Sequence, residues 1–304
     1  MSVAVIFPGQ GSQFTGMAKS LYDKEEKAKS IIDSADSIVP GLKKVMFEGP
    51  EEELQKTDFT QPAVLAHSIA VFEVIKDKIA GNVSYYAGHS LGEYAALYAA
   101  GSFDFETVVK LVKKRGQLMQ EASAKTDSGM AAVIGLSPEQ VKQMCESLSN
   151  IGYIALANIN SPVQTVISGE AKAIEAAEAK AKEIGAKRYI RLRVAGAFHS
   201  ELMKPAAEGL ERELESVDIK EAKIPVVANV SAKAVKSARE IKSSLVKQVV
   251  SPVRWVESVE FMRAGGVDTF IEAGPGKVLS GLIKKTDRKL NVFNIGEAED
   301  TGKI

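Results

Sequence analysis

One cysteine in 304 residues, Cys145, excludes an internal disulfide and any multi-cysteine metal site. Its helix-like setting with Met144 and Leu148 suits a core thiol better than a nucleophile. Three histidines, His67, His89 and His199, are too few for a His-cluster metal centre. No excess of either charge exists: Lys+Arg and Asp+Glu both number 39, which argues against a nucleic-acid binder. Long hydrophobic runs are missing as well. The longest uncharged stretch, 147–169, carries Asn150, Asn158, Asn160, Pro162 and Gln164 and cannot cross a bilayer. The chain opens directly on a strand-like run, 2–7, with no basic n-region or cleavage site, so the expectation is a soluble cytoplasmic protein. No repeat, low-complexity tract or coiled coil is visible, which makes a monomer the default.

What is present is globular: 45% apolar and 26% charged residues, over about two domain lengths of roughly 150. Short β-branched runs at 3–7, 83–87, 224–230, 267–272 and 291–295 alternate with helix-like segments. Strands that read apolar throughout predict an α/β fold with a parallel sheet covered on both faces. Residues 129–194 differ. A strand at 130–136 precedes Ser137-Pro138-Glu139-Gln140, a capping-box helix start with proline at its first position. Strands at 153–160 and 163–168, a helix at 171–184 and a strand at 187–194 follow. The order β-α-β-β-α-β is the ferredoxin-like pattern. The expected division is therefore a core of 1–126 and 196–304 with a ferredoxin-like insert at 127–195.

Gly88-His89-Ser90-Leu91-Gly92 matches G-x-S-x-G between a predicted strand and a predicted helix, the context a nucleophile elbow requires. An ordinary glycine-rich turn is the alternative. A serine nucleophile needs a base. His89 is its neighbour on a sharp turn and points elsewhere, and His67 falls in a helix starting near Pro62, with Val64, Val71 and Val74 on its face. His199, in a loop after a strand, remains as the base, or as a structural histidine at a junction.

At 100° per residue, Val108, Leu111, Val112, Leu118, Met119 and Ala122 make one stripe, and Arg115 lands near its centre. An unpaired buried guanidinium is strongly destabilising, so it needs an anionic or carbonyl partner. Either a structural salt bridge or a clamp on a substrate carboxylate would serve. Gly9-Gln10-Gly11-Ser12 lacks the third glycine of a dinucleotide fingerprint, since position 14 is Phe14. Gly274-Pro275-Gly276-Lys277 lacks the Walker spacing, with Ile271 where glycine belongs, and reads as a strand-to-helix turn.

Together, Phe7-Pro-Gly-Gln-Gly-Ser-Gln13, Thr60-Gln-Pro-Ala63, Gly88-His-Ser-Leu-Gly-Glu-Tyr94, Arg115, Gly196-Ala-Phe-His-Ser200, Gln248 with Pro252, and Glu272-Ala-Gly-Pro-Gly276 resemble the malonyl-CoA:acyl-carrier-protein transacylases of fatty-acid synthesis. The resemblance spans nearly the whole chain. It implies an α/β-hydrolase-like core with a ferredoxin-like insert, and ping-pong transfer from malonyl-CoA to acyl carrier protein without a tightly bound cofactor. It further implies Ser90 as nucleophile, His199 as base, and backbone N–H groups of Gln10 and Leu91 as oxyanion hole. Arg115 would then pair with the malonyl carboxylate, and the Gln248 backbone carbonyl would orient His199. Lys187 and Arg188 are candidate docking residues for the acidic carrier, or else a solvated strand end. A serine hydrolase and a non-catalytic carrier-binding module are the alternatives. The first usually needs an acid partner and has little use for Arg115; the intact Ser90 and His199 disfavour the second.

Overall fold

The structure is a computed structural model and describes residues 2–304. Its strands are β1 (Val3–Phe7), β2 (Val83–Gly88), β3 (Ser128–Ile134), β4 (Ile154–Ser161), β5 (Gln164–Glu170), β6 (Arg188–Arg191), β7 (Val226–Ala228), β8 (Lys233–Val235), β9 (Thr269–Ala273) and β10 (Asn291–Ile295). The larger sheet has the order β10-β9-β1-β2-β7-β8. Its neighbours run parallel except β8, which pairs antiparallel with β7. The central strand shows why the sequence reads as a continuous apolar run. Alternate side chains leave opposite faces, so Val3, Val5 and Phe7 enter one core cluster and Ala4 and Ile6 another. Helices cover both faces, and no position on β1 meets water.

The second sheet, β4-β5-β3-β6, is antiparallel and has the ferredoxin-like strand order. One face buries Ala131, Val133 and Ile167 under the helices Pro138–Ser147 and Ala171–Glu183. The other face adds Met130, Ala132, Ala157 and Val166 to the larger core cluster. Backbone bonds between Ala157, Ile159 and Val253 stitch β4 to the rest of the chain. Ser137 and Gln140 form the predicted capping box, with Pro138 at the helix start.

Three local readings need correction. The edge strand β8 was not foreseen, because three residues carry no usable alternation. The strand expected at 187–194 ends at Arg191, and after one further backbone bond, from Leu192 to the Met130 carbonyl at 2.9 Å, the chain leaves the sheet. The helix holding His67 begins at Thr57, so Pro62 sits inside it rather than at its start. Proline there lacks the N–H that would bond the Asp58 carbonyl; the helix continues because its face from Thr60 to Phe72 is buried.

Candidate active site

β2 delivers the chain to Gly88 and the helix Gly92–Ala99 carries it away, leaving Ser90 at the apex with φ +52°. L-residues adopt this left-handed conformation at a cost of about 1–3 kcal/mol, so the surroundings must impose it. They do. A Cβ on Gly88 would strike the Gly92 carbonyl, and one on Gly92 would strike the Phe7 carbonyl, so both glycines are sterically required. From below, Asn229 accepts the Ser90 N–H through Oδ1 at 2.7 Å and donates through Nδ2 to the Gly88 carbonyl at 2.7 Å.

His199 also takes a left-handed φ, +58°. Its Nδ1 donates to the Gln248 backbone carbonyl at 2.8 Å, which leaves Nε2 as the bare nitrogen that accepts the Ser90 hydroxyl at 2.7 Å. Burial, reinforced by the nearby Arg115 charge, lowers the imidazole pKa to about 3. The ring is therefore neutral near pH 7, with its lone pair on the serine.

Arg115 projects from the helix Phe105–Ser123 and is 1% exposed. Its Nη1 donates to Gln61 Oε1 at 2.7 Å; its Nη2 donates to Gln248 Oε1 and to Ser90 Oγ, both at 3.1 Å. All three partners are neutral oxygens, and Nε has none. The guanidinium also lies 5.4 Å from the Tyr94 ring centroid. Gly116 makes this geometry accessible: its bare Cα lets the helix approach the Thr57 carbonyl, bringing Gln61 within reach. Desolvation disfavours the charged form of this arginine.

Gln10 and Leu91 line the same cleft as Ser90, His199 and Arg115. Neither backbone N–H donates to a protein acceptor among the described residues. The remaining wall is mostly apolar, formed by Met119, Met130, Leu192, Val194 and Phe198, with Asn158 and His89 as its polar members. Lys187 and Arg188 are not gathered there; they are exposed at the outer edge strand, whose continuation supplies Leu192 and Val194. His89 faces away, bonding Asn160 Oδ1 at 2.8 Å beside the Trp255 ring. His67 is fully buried against the Gly296 carbonyl, and the Cys145 thiol is buried and pushed up to about 12. Glu272 accepts the Leu279 and Ser280 amides at 2.9 and 2.8 Å, closing the strand-to-helix turn read at Gly274.

Sequence reasoning assigned no role to Asn229, Gln61, Glu93 or the Gln248 side chain. Glu93 was the most accessible of these: a carboxylate three residues after Ser90, among Leu91, Tyr94 and Ala95, is an unusual occupant of an apolar helix start. The other three act across separations that no local pattern encodes.

A neutral base on a serine, two free amides and a buried cation make a site suited to acyl transfer through a serine ester. Among the described residues no group of three or more His, Cys, Asp or Glu could hold a metal, and no helix is long and apolar enough to cross a membrane. An acyl transferase domain model matches residues 4–301. The malonyl CoA-acyl carrier protein transacylase of Bacillus subtilis (strain 168) is 49% identical over 299 residues, covering 98% of this chain and 94% of its own. Its counterpart in Staphylococcus aureus (strain MRSA252) is 44% identical over 98% of this chain and 96% of its own. The solved malonyl CoA-acyl carrier protein transacylase of Coxiella burnetii superposes with a TM-score of 0.96 at 39% identity, covering 100% of this chain and 96% of that one. A malonyl-transacylase solved in complex with a type II PKS acyl-carrier protein gives 0.96 at 40%, covering 100% and 98%.

Proposed function

The chain belongs to the acyl transferase domain family, and from that premise we propose that it moves malonyl from malonyl-CoA to the phosphopantetheine thiol of acyl carrier protein, in fatty-acid synthesis, by way of a malonyl ester on Ser90. It is an acyltransferase. The observation that carries the substrate is Arg115: a buried cation 3.1 Å from the nucleophile that touches only neutral oxygens. A malonyl carboxylate supplies the missing anion, and its length places the thioester carbon near Ser90.

In the first half-reaction Ser90 Oγ attacks the thioester carbon as its proton passes to His199 Nε2. The Gln10 and Leu91 amides receive the oxyanion. The C–S bond then breaks, and the CoA sulfur takes the proton back from His199. In the second half the carrier thiol gives its proton to His199 and attacks the ester; Ser90 Oγ leaves and is reprotonated. A peptide carbonyl on His199 fixes its tautomer without placing a second anion beside malonate. One thioester replaces another, so the outcome depends on keeping water from the ester. The 127–195 insert forms one wall of a core made of 1–126 and 196–304, with Met130, Leu192 and Val194 as the water-excluding surface. Lys187 and Arg188 steer the acidic carrier, and no tightly bound cofactor takes part. The protein acts as a cytoplasmic monomer.

Mixing protein with malonyl-CoA should add one malonyl group to Ser90, read by mass, and carrier protein should remove it. Sustained CoA release beyond one equivalent per protein, without carrier, would indicate a hydrolase instead. Added salt should raise the KM for carrier more than that for malonyl-CoA; equal sensitivity would remove Lys187 and Arg188 from docking.

A further inference from the structure

Behind the elbow lies an acid that the transfer as written never uses. Glu93, 1% exposed, occupies the first turn of the helix that follows Ser90. Its Oε2 accepts the Asn229 backbone N–H at 3.0 Å and Gln248 Nε2 at 2.9 Å. Gln248 Nε2 also donates to the Ser90 carbonyl at 3.0 Å. Both amide hydrogens of Gln248 are thus committed to acceptors on one side, and Oε1 must face the other, where Arg115 Nη2 donates to it at 3.1 Å. The flipped amide would set oxygen against a carboxylate and a carbonyl, and NH2 against a guanidinium. An acid oxygen that accepts from both neighbours therefore decides which end of Gln248 the cation meets. Through Asn229 it also holds the side chain that accepts the Ser90 N–H.

We propose that Glu93 is a positioning residue for malonyl selection: with its carboxyl bonded to neither the Ser90 hydroxyl nor the cation, it locks the Gln248 amide so that Arg115 is held beside Ser90 with its charge available. Burial raises the Glu93 carboxyl to about 7, while Asn229, Gln248 and Arg115 pull it back, which fits an acid kept apart from a direct ion pair. A carboxylate in contact with Arg115 would compete with substrate; one acting through a neutral amide orients the guanidinium and leaves it free to bind.

The inference rests on the malonyl-transfer reading, and its test has a readout independent of transfer. Assayed above pH 7, where the carboxyl is ionised, Glu93→Gln keeps the shape and an accepting oxygen but loses the charge and the acceptor-only character. It should lower the ratio of malonyl to acetyl kcat/KM by about tenfold or more, the scale of a charge-assisted hydrogen bond. Gln248→Met keeps the main-chain carbonyl and removes the amide; on that background Glu93→Gln should change the ratio less than about twofold, since the intermediary is gone. Independently, free malonate should protect Ser90 of the parent protein from a fluorophosphonate label, and Glu93→Gln should lose that protection. An unchanged ratio, a full effect on the Gln248→Met background, or protection that survives Glu93→Gln would each overturn the proposal. If malonate protects the parent protein yet no malonyl reaches the carrier, the transfer reading fails and the positioning role stands.

Discussion

His67 and His199 are buried alike, and each gives one ring nitrogen to a peptide carbonyl, Gly296 at 2.7 Å and Gln248 at 2.8 Å. Burial holds both neutral, with pKa values of about 4 and about 3. The second nitrogen separates them. His67 Nδ1 has no partner, whereas His199 Nε2 receives the Ser90 hydroxyl. The backbones differ too: His67 sits in the middle of a long helix, His199 in a loop at φ +58°. A histidine tied to a carbonyl is therefore a way of packing an imidazole; it becomes a base through what its free lone pair faces.

The comparison breaks most sharply on substitution. His199→Ala should slow Ser90 acylation by about 10²–10⁴-fold, while His67→Leu should leave the acylation rate as it is; a matching loss in His67→Leu would erase the distinction. Arg115→Ala should cost malonyl transfer about 3–5 kcal/mol and improve acetyl relative to malonyl. A parallel fall in both would mean the cation serves the Ser90–His199 pair rather than the substrate. His67→Leu should instead lower folding stability by about 1–3 kcal/mol, because the Gly296 carbonyl loses its donor; urea unfolding measures it.

The remaining effect is in pH. The unfolded chain protonates its histidines near 6.5, but the folded His67 and His199 wait until about 4 and about 3. The folded state binds fewer protons in that window, so both residues erode stability as pH falls from 6.5. Glu93 acts oppositely: raised to about 7, it stays protonated in the folded chain while the unfolded chain ionises, and its contribution weakens as pH rises from 4.5. His67→Leu should flatten the acid side of the stability curve. Fluorophosphonate labelling of Ser90 should stay level through pH 6.5, and a half-maximal drop there would show that His199 titrates as an ordinary exposed ring.

Much of this was legible beforehand where chemistry is local. β1 and β10 keep their expected limits because an unbroken apolar run between turns has few other solutions. Ser90 declared itself through two glycines that steric contact makes obligatory, and Arg115 through its place in an apolar stripe. Asn229 and Gln61 were invisible for the converse reason. Each is an ordinary polar residue whose partner lies 139 or 54 positions away, so only the folded chain reveals it. Pro62 misled because its fixed φ suits a helix start as well as an interior turn whose lost bond tertiary packing offsets.

The oxygen that sets the His199 tautomer belongs to the peptide unit of Gln248, not to a side chain. No single codon change at position 248 can delete it, whereas an aspartate in that role would be one base substitution from loss. Drift can reshape the pocket's preferences through the amide of that residue, yet the hydrogen-bond acceptor is inherited with the helix itself.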